Sequence, residues 1–157
     1  MSLLTFPNPV NDKAARSVGA GVFLLGCLAL LTQSPWVTGV LAFGFLLRVA
    51  AGPRFSPLGR LATRVLAPRL GAPKLVPGPP KRFAQGIGLV LTASATALLL
   101  SSHPAIASVL LGFLLVASFL EAAAGFCLGC WLFGHLMRVG MIPASVCLSC
   151  ANTAYET

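Results

Sequence analysis

Four long apolar runs, separated by polar or proline-rich breaks, organise this chain: residues 14–33, 36–52, 83–101 and 104–124. Each has, or nearly has, the roughly 17–25 residues that a helix needs to cross a hydrocarbon layer. The second run is the shortest and carries Arg48, placed near one end, where a guanidinium can extend to the headgroups. The breaks are of two kinds. Gln33-Ser34-Pro35 and Ser101-Ser102-His103-Pro104 contain no Lys or Arg, whereas Lys13 and Arg16 open the first run and Arg54, Arg60, Arg64, Arg69, Lys74, Lys81 and Arg82 lie between the second and third. Cations gather on the cytoplasmic side of spanning helices. The pattern therefore predicts an all-α membrane protein, one integral domain over 1–157, with four transmembrane helices arranged as two hairpins and both termini cytoplasmic.

Between the hairpins, Leu58, Leu61, Val65 and Leu66 alternate at helical spacing with Arg60, Arg64 and Arg69, which predicts an amphipathic helix near 56–70 lying in the headgroup layer. Two roles fit it: a lipid anchor, or a basic vestibule that attracts small anions such as thiosulfate or sulfite. Prolines 73, 77, 79 and 80 predict a stiff, extended lead into the third span.

Composition agrees with the periodicity. The chain is 57% hydrophobic and 9% charged, with mean hydropathy +0.90, against about a quarter charged in soluble domains. A net charge of +8 would suggest nucleic acid in a soluble protein, but these cations sit in the connections and are read as topology signals and contacts to the lipid bilayer, so no nucleic-acid partner is expected. Pro7, Asn8, Pro9 and Asp12 before the first apolar run, and the lack of a cleavage site after it, make that run a retained helix rather than a signal peptide.

The second and fourth runs end in related strings, Phe45-Leu46-Leu47-Arg48-Val49-Ala50-Ala51-Gly52 and Ser118-Phe119-Leu120-Glu121-Ala122-Ala123-Ala124-Gly125, which suggest an internal repeat. In that alignment Arg48 and Glu121 occupy matching depths. Hydrocarbon cannot solvate either charge, so the two are expected to pair, either to fix helix packing or with Glu121 as proton acceptor for a nearby thiol.

Cysteines carry the most specific chemical signal. Of five, Cys27 stands alone and reads as a packing residue, while Cys127-Leu128-Gly129-Cys130 and Cys147-Leu148-Ser149-Cys150 form two pairs in a C-terminal segment over 125–151. Gly125 interrupts the fourth helix, so a half-helix over 126–139 would begin with Cys127 in its first turn, where backbone amides favour a thiolate. Cys130, three positions on, is placed to resolve a mixed disulfide. The turn Gly140-Met141-Ile142-Pro143 lets the second pair fold back toward the first. The rival reading is a metal site, since C-x2-C-x16-C-x2-C fits four-thiolate spacing for zinc or iron at Cys127, Cys130, Cys147 and Cys150. His135 is a candidate proton shuttle or extra ligand, although a lone histidine on an apolar helix is more often a packing residue. Gly125 and Gly129 form a small-xxx-small pair that suits close packing within one chain or in an oligomer.

At Gly52-Pro53-Arg54-Phe55-Ser56-Pro57, at the stretch from Pro80-Lys81-Arg82-Phe83 to Gly86-Ile87-Gly88, at Phe119-Leu120-Glu121 and at Gly125-Phe126-Cys127-Leu128-Gly129-Cys130, the chain resembles the bacterial membrane family catalogued as domain-of-unknown-function 4395. The likeness runs from about Asn11 to Cys150. Members are often encoded near thioredoxin-like and rhodanese-type sulfurtransferase proteins. The resemblance therefore implies a bacterial inner-membrane location, a soluble partner of one of those kinds, and a link of the four paired cysteines, and more weakly Glu121 and Arg54, to thiol or sulfur handling. The expected function is thiol-disulfide exchange or sulfur relay at the cytoplasmic face. Two alternatives stand beside it: a carrier for a sulfur oxyanion, with Arg48 and Glu121 along its path, and a structural four-cysteine metal protein.

Overall fold

The computed structural model describes residues 8–53 and 55–150, so Arg54 lies outside the described residues. Helices dominate. A two-residue strand β1 (Val10–Asn11) leads into α1 (Asp12–Thr32), followed by α2 (Pro35–Ala51), α3 (Pro57–Leu61), a π-helical turn (Ala62–Leu66), α4 (Ala67–Arg69) and strand β2 (Leu75–Val76). The long helices α5 (Gly78–Leu100) and α6 (Pro104–Ala124), the shorter α7 (Leu128–Arg138) and a 3₁₀ turn (Ala144–Val146) complete the order. β1 and β2 pair antiparallel, Val10 with Val76, and fasten the start of α1 beside the start of α5.

Three helices, α1, α5 and α6, are long and apolar enough to cross a membrane, and α2 is apolar but shorter. Their packing follows the rule for a lipid solvent, in which close contact between small residues replaces water-driven burial. Ala29, Ala95 and Ala107 are fully buried, together with Thr38 and Thr92. Both threonine hydroxyls bond back to their own helices, Thr92 Oγ1 donating to Gly88 O at 2.8 Å and Thr38 Oγ1 to Pro35 O at 3.1 Å. The bulky residues Trp36, Phe43, Phe113, Val116 and Phe119 face outward. This arrangement inverts that of a soluble bundle.

Helix α1 packs along α6 and α2 along α5; α5 also touches α6, while α1 and α2 meet only sparsely. Long cationic side chains then bind the ends of neighbouring helices. Arg16 donates to the carbonyls of Ala122 and Ala123 at the end of α6, and Arg82 donates to Val49 O at the end of α2. The last carbonyls of a helix have no intrahelical donor, so each guanidinium satisfies acceptors that would otherwise be stranded.

The segment from α3 to α4 is helical where amphipathicity placed it, and it turns its small residues toward the bundle. Gly59, Ala62 and Ala67 are buried, and the segment lies against α1, while the larger Leu61, Val65, Leu66 and Leu70 are exposed. Leu58 fits over Gly21, where an added Cβ would come within 2.9 Å of its methyl.

The expected extended lead from Pro77 to Pro80 is not what forms. α5 begins at Gly78, so Pro79 and Pro80 occupy its first turn. Proline is tolerated there because the first-turn N–H groups have no intrahelical acceptor to lose. The outcome matters for chemistry: Lys81 becomes a helical residue directed into the protein rather than a loop cation.

Candidate functional site

Lys81 is the centre of a buried ion cluster built from three helices. Its Nζ lies 2.9 Å from Glu121 Oε1 on α6 and 3.1 Å from Asp12 Oδ1 in the first turn of α1. Asp12 and Lys81 are both buried. An ammonium is a compact charge with three donors, which suits bridging two carboxylates drawn from separate elements. Asn11 caps α1 through Lys13 N–H, and Asp12 N–H donates to Lys74 O at 2.7 Å, so the backbone beneath the first carboxylate is held on both sides.

The first cysteine pair lies beside this cluster. Gly125, in the left-handed region at φ +68°, ends α6, and Cys127 then serves as the N-cap of α7 with extended backbone. Its Sγ accepts from Cys130 N–H at 3.3 Å and lies 2.7 Å from Cys130 Sγ. The intervening Gly129 is seated directly on α5: an added Cβ would stand 2.6 Å from Ala84 Cα. Only glycine lets the Cys127–Cys130 turn approach that backbone. Phe133, buried on α7, completes the docking against Phe83 with ring centroids 5.6 Å apart.

These contacts divide the two thiols chemically. The Cys127 thiol lies below the ordinary thiol range, chiefly because Cys130 donates its S–H to it; Lys81 and the Cys130 N–H act in the same sense, while burial and Glu121 oppose them. Cys130 is pushed above the ordinary range, first because it is that donor and then by burial. Of the two, Cys127 is the thiol more readily ionised and Cys130 the one that holds its proton.

Two cavities meet at Cys127. One, of about 460 Å³, is walled by Asp12, Lys81, Cys127, Cys130, Phe133 and Cys150. The second, of about 280 Å³, is mostly apolar, and its polar groups include Glu121, Gln85 and Cys127. The second cysteine pair forms a disulfide, with Cys147 buried and Cys150 on the wall of the larger cavity.

Other residues expected to act with these are placed elsewhere. Arg48 and Glu121 are not ion-paired. Arg48 Nε donates to Gln85 Oε1 at 2.8 Å, its guanidinium lies 4.4 Å from the Phe45 ring centroid, and Glu121 has taken Lys81 instead. Arg48 Nη2 is buried with no hydrogen-bond partner among the described residues, next to a void of about 30 Å³ that Lys81 also lines. His135 stacks on Trp131 at 5.5 Å, on the exposed side of α7. Among the described residues, no group of three or more His, Cys, Asp or Glu is arranged to hold a metal ion.

By sequence alone Asp12 has no functional role, and Lys81 has only a place among the connecting cations and in the family-like stretch Pro80-Lys81-Arg82-Phe83. The available signal was scarcity: the sequence has three acidic residues, and two of them, Asp12 and Glu121, lie beside apolar runs where each needs a cation.

No curated protein and no solved structure matches the chain. A family model does match, over residues 10–138, which takes in the ion cluster, Cys127 and Cys130 and stops short of Cys147 and Cys150. The chain belongs to the family described as domain of unknown function DUF4395.

Proposed function

We propose that this is a membrane-embedded thiol-disulfide exchange protein in which Cys127 attacks, Cys130 resolves and the Cys147–Cys150 disulfide relays electrons to or from a soluble thioredoxin-like partner. The observation that carries this reading is the shared cavity, where a reduced pair with an acidic first thiol faces Cys150 of an oxidised pair. The exchange balances. Cys127 thiolate attacks Cys150 Sγ, forming a mixed disulfide and releasing Cys147 as thiolate. Cys130 then gives up its proton to that thiolate and attacks Cys127 Sγ, closing the Cys127–Cys130 disulfide and freeing Cys150. One S–S bond breaks and one forms, with two electrons passed between pairs.

In this reading the chain spans the bacterial inner membrane four times as two hairpins, with the exchange site at the cytoplasmic face. Seventeen residues carry α2 about 25 Å at 1.5 Å per residue, short of a 30 Å core by an amount that local thinning or its terminal Arg48 absorbs. Exposed Trp36, Val40, Phe43 and Leu46 give α2 a lipid-facing side. The repeat gains support from the two arginine clamps: aligning Arg48 with Glu121 also aligns Val49 with Ala122, the carbonyls that Arg82 and Arg16 bind.

The test is trapping. In a Cys130→Ser protein the exchange should stall at the mixed disulfide, and non-reducing peptide mass spectrometry should find Cys127 joined to Cys150. Linkage to Cys147 would reverse the relay order. A protein with the Cys147–Cys150 bond intact and Cys127 still free after incubation would end the proposal.

A further inference from the structure

The geometry points to a lipid-soluble quinone as the two-electron acceptor of the Cys127–Cys130 pair, bound in the apolar cavity between α5, α6 and α7. This rests on the exchange reading, run in the direction in which the Cys147 and Cys150 thiols reduce the Cys127–Cys130 disulfide, and adds its membrane-side substrate.

Cys127 stands where two unlike cavities meet. The larger contains Asp12, Lys81 and the disulfide, and suits exchange with protein thiols. The smaller has apolar walls that include Phe45, Leu91, Phe113, Leu114 and Leu132, with Glu121, Gln85 and Cys127 among its polar groups. A soluble dithiol substrate gains nothing from such walls. Phe113 and Trp131, 65% and 57% exposed, stand at its margin, and Phe113 lies on a helix long and apolar enough to span, so the cavity opens among side chains that meet lipid. Its volume of about 280 Å³ is at the lower end of small-molecule sites, enough for one substituted ring while an isoprenoid tail continues outside.

The polar groups suit a ring with two carbonyls. Gln85 Oε1 is occupied by Arg48 Nε, so the group that Gln85 can offer a ligand oxygen is its amide Nε2, a donor. A dithiol can become a disulfide only by passing on two electrons and two protons. A quinone takes both: the two S–H bonds break, the Cys127–Cys130 S–S bond forms, and the two ring carbonyls become hydroxyls as the ring aromatises. No further reactant is required.

The experiment uses the full chain, reduced and freed of reductant in lipid nanodiscs, with decylubiquinone as the membrane probe and oxidised glutathione as the water-soluble reference. Decylubiquinone has a fully substituted ring, so it does not capture thiols by simple addition at an open carbon. Loss of quinone absorbance should accompany loss of the two thiols, and Cys127→Ser should show neither. Ala117→Trp and Leu132→Trp, which fill the cavity from different helices, should slow quinone reduction by about tenfold or more. Their rate with oxidised glutathione should hold. Two substitutions guard against one that fails to fold, checked by thermal melting.

Normal turnover of oxidised glutathione with untouched decylubiquinone would overturn the quinone site and leave the exchange reading standing. Inactivity toward both acceptors would remove the exchange reading, and the quinone site with it. Undiminished quinone reduction in folded Ala117→Trp and Leu132→Trp proteins would also overturn the site.

Discussion

The two ends of the helical bundle are held by different forces. At one end, where α1 and α5 begin and α2 and α6 finish, side chains from distant parts of the chain bind each other and each other's backbones: Lys81 to Asp12 and Glu121, Arg16 to the end of α6, Arg82 to the end of α2, and Lys13 Nζ to Leu70 O at 2.6 Å. At the other end the turns are short, and among the described residues the link between distant side chains is one hydrogen bond, Gln33 Nε2 to Ser108 Oγ at 3.1 Å. Buried alanines together with Val18, Val22, Leu41, Phe45, Leu111 and Leu114 fill the length between. One end of the molecule is clamped by charge and the other merely packed. Cys127 and Cys130 lie at the clamped end, where Lys81 and the Cys130 N–H both favour the ionised form of the Cys127 thiol.

The largest expected effect comes from removing the central clamp. Lys81→Met leaves two buried carboxylates without their cation and should destabilise the protein by about 3–5 kcal/mol, read by thermal melting in detergent. Much of the loss should return in the triple variant that adds Asp12→Asn and Glu121→Gln. If Lys81→Met melts with the parent, the clamped end is not what holds the bundle. The same variants sharpen the electrostatic side. Lys81 holds the Cys127 thiol down and Glu121 pushes it up, so the pH profile of Cys127 alkylation should move to higher pH in Lys81→Met and to lower pH in Glu121→Gln.

Next comes Arg16→Ala, which frees two helix-end carbonyls and should cost about 1.5–3 kcal/mol by the same melting assay. Gly129→Ala should cost about 1–3 kcal/mol, because a methyl group is driven into the α5 backbone. Its more telling readout is local: α7 should lift from α5 and Cys130 should become easier to alkylate, with little change in the rest of the bundle. The smallest effect belongs to the packed end, where Gln33→Ala should cost about 0.5–1.5 kcal/mol. A larger loss there than at Arg16 would invert the comparison.

Apolar run length was enough to place the long helices. The expected run 104–124 coincides with α6, and 36–52 is within one residue of α2. The start of α5 was hidden because prolines announce both an extended lead and a helix's first turn, and only packing decides between them. That single ambiguity concealed Lys81, and with Lys81 the partner of Glu121. Arg48 looked like that partner because it shares the depth of Glu121 in the repeat, but depth leaves the azimuth of a side chain undetermined. Arg48 turns instead to Gln85 and the Phe45 ring. For the cysteines, spacing allowed both metal and exchange chemistry; Cys127, Cys130 and Cys150 line one cavity, and among the described residues no three His, Cys, Asp or Glu are grouped to hold a metal ion.

The pairing of α1 with α6 and of α2 with α5 has a consequence for biogenesis. Synthesis delivers the first two helices before either has its main packing partner, and they touch each other too little to settle alone. Asp12 must wait for Lys81, which arrives with the third long helix, and the cluster closes only when Glu121 follows on the fourth. The triad therefore closes only once all four helices are present, and a chain that stops before α5 leaves Asp12 without its cation.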